Sequence, residues 1–421
     1  MPPPPSRRLR APEPKPTRRG HRPAPIRWDE KANLHAVLFV RMVCNIKPGL
    51  EAQNESRRLA MKHHTKESAR MTIGLDLGDK HSHLRVLNSE GDIIEEGRIR
   101  TTPEDFKRRF KGIEPALVAL EAGTHSPWAY RVIRECGHEV IVANPRQVPL
   151  ISKNNQKSDD NDPEILGRLA RMDRKLLKPI QPRGLKEQIA LAELRARDCL
   201  VRARTKLVNH VRGVVKSFGG RTTGVSVDCF HVAAEERIPT EIRETLRPVL
   251  KMIGELKDQI GWYNKKVEEL CKKEYPQTEV IRQIDGVGAL TSLAFMLVLG
   301  DPKRFEESRD VGPYLGLAPG KDDSGEHQPE LRITKAGDGF MRRLLVCSAH
   351  YILGPFGPDT DLRRHGEKIA QTGKKKAKKR AVVAVARKLA VLLHRLWTTG
   401  EEYEPLRNTI RKQKRIAKCK S

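Results

Sequence analysis

The order of short apolar segments between residues 72 and 144 constrains the fold of this 421-residue chain more than any other feature. Strands are indicated where apolar residues alternate with polar ones or form short runs, and helices where they recur every three or four positions. The predicted elements are strands at 72–78, 81–88 and 92–101, a helix at 103–111, a strand at 116–123, a helix at 127–136 and a strand at 138–144. This β-β-β-α-β-α-β order predicts a mixed sheet with flanking helices.

The charge of the chain indicates the class of partner. Lysine and arginine number 81 against 53 aspartate and glutamate residues, which gives a formal net charge of +28. Such an excess favours polyanionic partners, above all nucleic acid. Aromatic residues are only 5% of the chain, so a broad platform for base stacking is not expected. No apolar run approaches the ~20 residues of a membrane span and no signal-peptide pattern is present, so no membrane partner is expected.

The seven cysteines are scattered and include no Cys-x-x-Cys pair. This spacing indicates neither a zinc site nor a disulfide framework, and it suits a reducing cytosol. We therefore predict a cytoplasmic protein.

Residues 1–70 differ from everything that follows them. They begin with a proline- and arginine-rich run that cannot bury a core, which predicts a disordered basic arm. The arm is either a nucleic-acid tether, which adds affinity without reading bases, or a dispensable extension ahead of a start at Met61 or Met71. A second basic segment is expected as a tail at 401–421.

A helical spacer is predicted at 176–277, with a long basic helix from Lys186 to Phe218. The apolar positions are Leu200, Leu207, Val211, Val214 and Phe218 in this helix, and Leu246, Val249, Ile253, Leu256, Ile260, Tyr263, Val267 and Leu270 in a second one. Such spacing predicts a helical hairpin or coiled coil, and hence a homo-oligomer, a dimer or a tetramer. The alternative is a helix packed only within its own chain, as in an ordinary bundle. Pro248 leaves the start of the second helix open.

Residues 278–400 are predicted to form a mostly helical C-terminal domain. Gly286 and Gly288 make a tight turn ahead of an apolar helix. This is either an ordinary glycine turn or a helix-hairpin-helix-like element, whose backbone N–H groups approach phosphate. Lys374 and Lys375 open a later run that is basic first and amphipathic afterwards, which makes them candidate phosphate ligands.

Three aspartates, Asp159, Asp160 and Asp162, lie close together just ahead of a predicted helix. Asp159 and Asp162 are three positions apart, so they fall on one helical face. Two carboxylates held this close repel unless a cation or a hydrogen-bond network lies between them. The alternative is an acidic helix N-terminus that the helix dipole favours, with Pro163 in the first turn.

Two further acids lie in the predicted strands, Asp76 in the first strand and Glu121 at the end of the fourth. A carboxylate in such a position is costly unless a cation neutralises it. In a ribonuclease H-like fold these elements converge with the acidic helix, so four acids would meet at one edge of the sheet. Carboxylate oxygens suit Mg²⁺ or Mn²⁺ better than zinc, and two such ions promote chemistry at a phosphodiester.

In chain order, the motifs of residues 72–172 and 278–397 resemble the DEDD-type transposases of a bacterial insertion-sequence family. That family includes the pilin-gene inverting recombinase and the bridge-RNA-guided recombinases. The motifs are GLDLGDKHSH, ALEAG, VANPRQV, KSDDNDPEILGRLAR, IDGVG, YLGLAPG, SGE and RITKAGD followed by RRLL. Each motif is weak alone, but the set in this order is specific. The resemblance covers about half of the chain and implies a ribonuclease H-like, RuvC-like α/β domain at 71–175.

The resemblance also implies the site residues. The family's four acids, which bind Mg²⁺ or Mn²⁺, fall on Asp76, Glu121, Asp159 and Asp162. A serine nucleophile, which works at the acids of another protomer, falls on Ser324; without the resemblance this would be an ordinary loop serine before a glycine. The preceding acidic pair, 322–323, departs from the pattern because its charge disfavours a close phosphate. The nearby cations that could offset it by clamping phosphate are Arg332, Lys335, Arg342 and Arg343.

The implied function is that of a transposase or site-specific recombinase in the bacterial nucleoid. It would cut and rejoin donor and target DNA through a phosphoserine link, guided by a structured RNA. Two alternatives stay open. A Holliday-junction resolvase-like nuclease would use the same acids with water as the nucleophile and would not need Ser324. A nucleic-acid scaffold would bind in a salt-sensitive way without metal-dependent cleavage.

Overall fold

The computed structural model of the protein describes residues 71–145, 161–321, 331–373 and 376–411. They belong to two compact units, of which the first ends at Ile180 and the second begins at Gln181. The predicted arm at 1–70 and residues 412–421 of the predicted tail lie outside the described residues. The domain limits expected at 71–175, 176–277 and 278–400 stay predictions.

The first unit is a mixed five-stranded sheet with helices on both faces. Its elements are β1 (Thr72–Asp76), β2 (His81–Leu87), β3 (Ile93–Arg100), α1 (Pro103–Lys111), β4 (Leu117–Glu121), α2 (Ser126–Glu135), β5 (Glu139–Ala143) and α3 (Asn161–Met172), with a 3-10 turn at Arg174–Leu177. The strand order is β3-β2-β1-β4-β5. β1 runs antiparallel to β2 and parallel to β4, β2 runs antiparallel to β3, and β4 runs parallel to β5. The predicted β-β-β-α-β-α-β order is confirmed.

Alternation along β1 produces two separate apolar layers. Ile73 and Leu75 lie on the face that α1 and α2 cover, where Phe106 is fully buried. On the opposite face, Ala119 of β4 packs with Leu166 of α3. A slip of one residue in any strand would exchange the two faces, so burial on both sides fixes the register.

The second unit is helical around a core centred on one apolar helix. Its helices are α4 (Leu185–Ser217), α5 (Phe230–Ala233), α6 (Thr240–Lys273), α7 (Thr278–Arg282), α8 (Ala289–Leu299), α9 (Val311–Tyr314), α10 (Gly339–Leu353), α11 (Asp361–Ala370) and α12 (Ala377–Thr399), with 3-10 turns at Glu235–Arg237, Pro302–Arg304 and Ser308–Asp310. Nearly every residue of α8 is buried, as expected for a helix without a polar face. No helix in the described ranges is both long and apolar enough to cross a membrane.

The two long helices α4 and α6 pack against each other within the chain, as in the predicted helical hairpin. Val211 of α4 shares a core with Leu250 and Ile253 of α6. α6 begins at Thr240 and continues through Pro248, so the proline does not mark the start of this helix. The predicted row of apolar positions in the first helix is wrong at Phe218. This residue follows the last residue of α4 and is 54% exposed. The predicted homo-oligomer stays a prediction.

Candidate active site

The sheet itself brings two of the predicted acids together. Asp76 is the last residue of β1 and Glu121 is the last residue of β4, the parallel neighbour of β1. Leu75 is the register partner of Leu120, so both acids follow at the same level and on the same face. Neighbouring strands are roughly 5 Å apart, which makes the two carboxylates close neighbours at one edge of the sheet.

A third acid reaches this edge through very close packing of α3 on β1. A Cβ atom on Gly74 would lie 1.7 Å from the carbonyl oxygen of Pro163, and one on Gly167 would lie 2.6 Å from Cδ1 of Leu87. Because glycine has no Cβ, it permits this approach of helix to strand. The first turn of α3, which contains Asp162, therefore lies against the part of β1 that ends in Asp76.

The carboxylate of Asp162 is not satisfied by its described surroundings. Its Oδ1 atom is buried and accepts no hydrogen bond from any residue that the structure describes. A buried acceptor without a partner loses its hydration and gains nothing in return, and the loss is larger for a charged group. A bound cation would supply the missing partner.

The donor chemistry of this edge fits a hard divalent cation. Asp76, Glu121 and Asp162 offer carboxylate oxygens, the ligand type that Mg²⁺ and Mn²⁺ prefer. The fourth predicted ligand, Asp159, and its neighbour Asp160 lie outside the described residues. Among the residues that are described, no three His, Cys, Asp or Glu side chains already form a metal-binding group. The fit therefore rests on the donor set and on the unpartnered Asp162 oxygen.

Two histidines beside the acids were missed by the sequence analysis. His83 of β2 is the register partner of Asp76. His125, just ahead of α2, accepts a hydrogen bond at Nδ1 from Trp128 Nε1 at 3.2 Å, and its Nε2 lies 3.7 Å from Oδ1 of Asp79. The signal for His83 was the HSH alternation soon after Asp76, which puts every second residue of β2 on the face of the acids.

Ser324 lies outside the described residues, but both ends of its loop are described. We call residues 315–321 and 331–338 the loop base. The N–H of Gly320 donates to the carbonyl of Arg332 at 2.9 Å, and the N–H of Thr334 donates to the carbonyl of Ala318 at 3.0 Å. The loop base is thus a short antiparallel pairing of the two segments that precede and follow Ser324 in the chain.

Two glycines and one arginine hold the loop base together. Gly316 and Gly337 have φ values of +68° and +70°, which favour glycine, and a Cβ atom on Gly316 would lie 2.2 Å from the carbonyl oxygen of Ala336. The guanidinium of Arg342 donates to the carbonyl of Leu315 at 3.1 Å and also to that of Ala336. Arg342, predicted as a phosphate clamp, therefore joins the two sides of the loop base.

The other predicted cations near Ser324 differ in their surroundings. Arg332 and Lys335 are exposed at the loop base. Arg343 donates to Asp198 of α4 at 2.5 Å, and its guanidinium lies over the ring of Phe340. Arg343 is exposed as well, but its charge is paired with Asp198, whereas Arg332 and Lys335 have no ion pair among the described residues.

The remaining predicted phosphate ligands fall in two places. Gly286, with φ of +87°, lies in the turn between α7 and α8, and Gly288 is the N-cap residue of α8. The turn predicted ahead of an apolar helix is thus present, while its contact with phosphate stays a prediction. Lys374 and Lys375 lie outside the described residues.

Comparisons with known proteins identify the family. Residues 73–219 match the DEDD-type IS110 family model described as "Transposase", and residues 278–359 match the model described as "Transposase IS116/IS110/IS902 family". Together the two matches cover more than half of the chain. The chain belongs to the IS110 family of DEDD transposases.

Individual relatives in this family align over most of their length. The chain is 28% identical over 299 residues to a probable family 20 transposase of Pseudomonas aeruginosa. This alignment covers 69% of this chain and 86% of the relative. The chain is 26% identical over 339 residues to the transposase for IS1111A of Coxiella burnetii, covering 79% and 90%. It is 28% identical over 296 residues to the transposase for IS1328 of Yersinia enterocolitica, covering 66% and 83%. The resemblance found in the sequence motifs is confirmed.

Proposed function

We propose that this IS110-family transposase cuts and rejoins DNA at the acidic edge formed by Asp76, Glu121 and Asp162, with Asp159 as the fourth ligand. The observation that carries the proposal is the position of the described acids. Asp76 and Glu121 end two paired strands at one level, beside a helical turn whose Asp162 Oδ1 is buried and has no hydrogen-bond partner among the described residues. Converging carboxylates are mutually repulsive without a cation, which makes this arrangement unfavourable as structure alone.

The four acids would hold Mg²⁺ or Mn²⁺ through their carboxylate oxygens. When bound, such an ion stabilises negative charge on the oxygens of a phosphodiester. The fold itself holds the carboxylate ligands in position before DNA binds. The pairing of β1 with β4 holds two of them in register, and the contact between Gly74 and Pro163 holds Asp162 beside them.

Ser324 is the proposed nucleophile. Its Oγ forms a bond to phosphorus, the bond from phosphorus to one deoxyribose oxygen breaks, and that oxygen leaves with the proton that Oγ gives up. One phosphate ester replaces another, so no external energy source is needed. A deoxyribose hydroxyl of the second DNA then attacks the phosphorus, the bond from phosphorus to Oγ breaks, and Oγ regains a proton from that hydroxyl, which frees Ser324 and seals the new junction. The exposed cations Arg332 and Lys335 would hold phosphates beside the serine.

We also propose that a structured RNA guides the choice of donor and target DNA, and that Ser324 of one protomer works at the acids of another. The net charge of +28 supports binding of more than one polyanion. The family to which the chain belongs supports action on DNA. A Holliday-junction resolvase-like nuclease, with water as the nucleophile, is the outcome if the serine proves dispensable.

The test of the acidic edge is Asp76→Asn, which keeps the shape of the side chain and removes its charge. Cleavage of a DNA duplex that spans one end of the insertion sequence is measured with Mg²⁺. DNA binding is measured over a range of salt concentrations. We expect cleavage to be lost and salt-dependent binding to be retained. Asp92→Asn, in the exposed turn between β2 and β3, is the matched control. Cleavage by the Asp76→Asn protein would overturn the proposal.

A further inference from the structure

The sheet face that carries Asp76 continues into a row of basic side chains. Asp76 of β1 is opposite His83 of β2, and His83 is opposite Arg98 of β3. One level further along, His81 is opposite Arg100. Residues directly opposite each other in an antiparallel pair lie on the same face. We call His81, His83, Arg98 and Arg100 the basic strip.

The basic strip borders a groove that begins beside the acids. A cavity of about 300 Å³ lies between β2, β3 and the first turn of α3, and His83, Arg98 and Pro163 are among its lining residues. The Cα atom of Arg98 lies two strand spacings from that of Asp76, roughly 10 Å. Arg85 and Glu96 also line the groove and pair with each other at 2.6 Å, so their charges offset one another.

The two arginines of the basic strip are exposed and carry uncompensated charge. Neither Arg98 nor Arg100 has a carboxylate partner within the described part of the chain. Arg98 donates one hydrogen bond to Nδ1 of His81 at 3.0 Å and keeps its other N–H groups for a ligand. Desolvation lowers the pKa of His81, and the charges of Arg98 and Arg100 lower it further.

The arginines on the other side of the sheet are different. Arg108 of α1 pairs with Asp105 at 3.0 Å, and Arg109 pairs with Glu95 at 2.7 Å. Arg108 and Arg109 are therefore each neutralised by a carboxylate of the protein, whereas Arg98 and Arg100 have no such partner among the described residues. Unpaired arginines along a groove are suited to phosphate, which accepts hydrogen bonds from two N–H groups of a guanidinium at once.

We propose that the basic strip binds the backbone phosphates of the DNA strand that the acids cut, on the side of the scissile phosphate that faces β3. The inference rests on the proposed function, because it takes the acids as the place of cutting. A strand whose scissile phosphate lies at Asp76 and which continues along the groove passes Arg98 next. Contacts of this kind position a nucleic-acid strand without reading its bases.

Proximity is tested in the full chain by photo-crosslinking. A photoreactive amino acid replaces Arg98 in one protein and Arg108 in a second, which serves as the control on the opposite side of the sheet. Both also carry Asp76→Asn, so that labelled DNA spanning an element end is bound and not cut. We expect strong crosslinking to DNA from position 98 and background crosslinking from position 108. Equal yields from the two positions would overturn the proposal, and so would crosslinking from position 98 to RNA in place of DNA.

The contribution to binding is tested with Arg98→Gln combined with Arg100→Gln. Loss of two phosphate contacts should weaken DNA binding about tenfold at moderate salt and reduce the slope of log affinity against log salt by roughly one to two. Arg108→Gln should leave both quantities unchanged. Unchanged affinity and slope in the double variant would overturn the proposal. Because binding is read without cleavage, a failure of the proposed chemistry would appear separately, as a wild-type protein that binds DNA and never cuts it.

Discussion

The acidic edge of the first unit and the loop base of the second both depend on glycines that let two backbone segments come very close. At the acidic edge, Gly74 lies against the carbonyl of Pro163, and the neighbouring Asp162 Oδ1 is buried and accepts no hydrogen bond from the described residues. At the loop base, Gly316 lies against the carbonyl of Ala336, and Arg342 donates to that carbonyl. Close packing thus leaves one carboxylate oxygen unsatisfied in the first region, whereas the polar groups of the second region are satisfied.

The difference indicates what each region is for. A buried carboxylate oxygen without a partner is unfavourable until a cation binds, so the acidic edge is suited to receive a ligand. A closed hydrogen-bond network needs no ligand, so the loop base is suited to fix the ends of the segment that contains Ser324. Metal should therefore change the stability of the first region and leave that of the second unaffected.

The largest effect is expected from Ser324→Ala. If the loop base presents the nucleophile and the acidic edge binds metal, the variant should bind DNA and Mg²⁺ normally while cleavage falls by roughly a thousandfold or more. Cleavage assays and mass spectrometry of trapped protein–DNA adducts measure this, and the wild-type adduct should carry the phosphate on Ser324. Ser217→Ala, at the exposed last residue of α4, is a control serine of the same unit.

Mixing variants tests the proposal that Ser324 of one protomer works at the acidic edge of another. Ser324→Ala chains mixed with Asp76→Asn chains should recover part of the wild-type activity if the site is shared. No recovery would indicate a site built within one chain. A Ser324→Ala protein that still cuts DNA would refute the serine mechanism and favour the nuclease with water as the nucleophile.

The next effect in size is expected from Gly74→Ala. The added methyl group meets the backbone of Pro163, which cannot turn away as a side chain can, so α3 must move off β1. We expect a loss of about 3 kcal/mol in the free energy of unfolding of the first unit, together with loss of metal-dependent cleavage. Gly112→Ala is the control, because a Cβ atom there meets nothing within 4 Å. Denaturant unfolding with and without Mg²⁺ measures both proteins, and equal stability of the two would refute the assigned contact.

The sequence predicted the sheet from the pattern of its apolar residues, and it placed Asp76 near Glu121 only through the ribonuclease H-like fold that this order of elements suggested. The close contact of α3 was not predictable, since Gly74 and Gly167 become informative only when the opposing backbone is known. The contacts of Arg342 with the main-chain carbonyls of the loop base could not be predicted for a similar reason. A guanidinium that binds phosphate and one that binds main-chain carbonyls have the same sequence signature, and only the fold shows which carbonyls are near.

A smaller effect is expected from Gly316→Ala at the loop base. A residue with φ of +68° is strained when it carries a Cβ atom, and here the atom also meets the carbonyl of Ala336. We expect a loss of about 2 kcal/mol in the stability of the second unit and reduced cleavage. Stabilisation by Mg²⁺ should stay at the wild-type level, unlike in Gly74→Ala. Gly320→Ala is the control, because its nearest contact is an ordinary 3.4 Å to Leu331. If Mg²⁺ stabilised the Gly316→Ala protein less than wild type, the proposed difference between the acidic edge and the loop base would be wrong.

The smallest effect, and the one with an unusual sign, is expected from Asp162→Asn. Without metal, the wild-type protein holds a buried carboxylate oxygen that no described residue satisfies, beside two other acids. Removal of that charge relieves repulsion, so the variant should be more stable than wild type in EDTA, by about 1 kcal/mol. With excess Mg²⁺ the order should reverse, because a ligand that binds only the folded state stabilises it and the variant has lost a ligand atom. Thermal unfolding in EDTA and over a Mg²⁺ series measures this, with Asp92→Asn as the control for a change of one exposed charge. A variant less stable than wild type in EDTA would mean that residues outside the described ranges already satisfy Oδ1, and the acidic edge would then resemble the loop base.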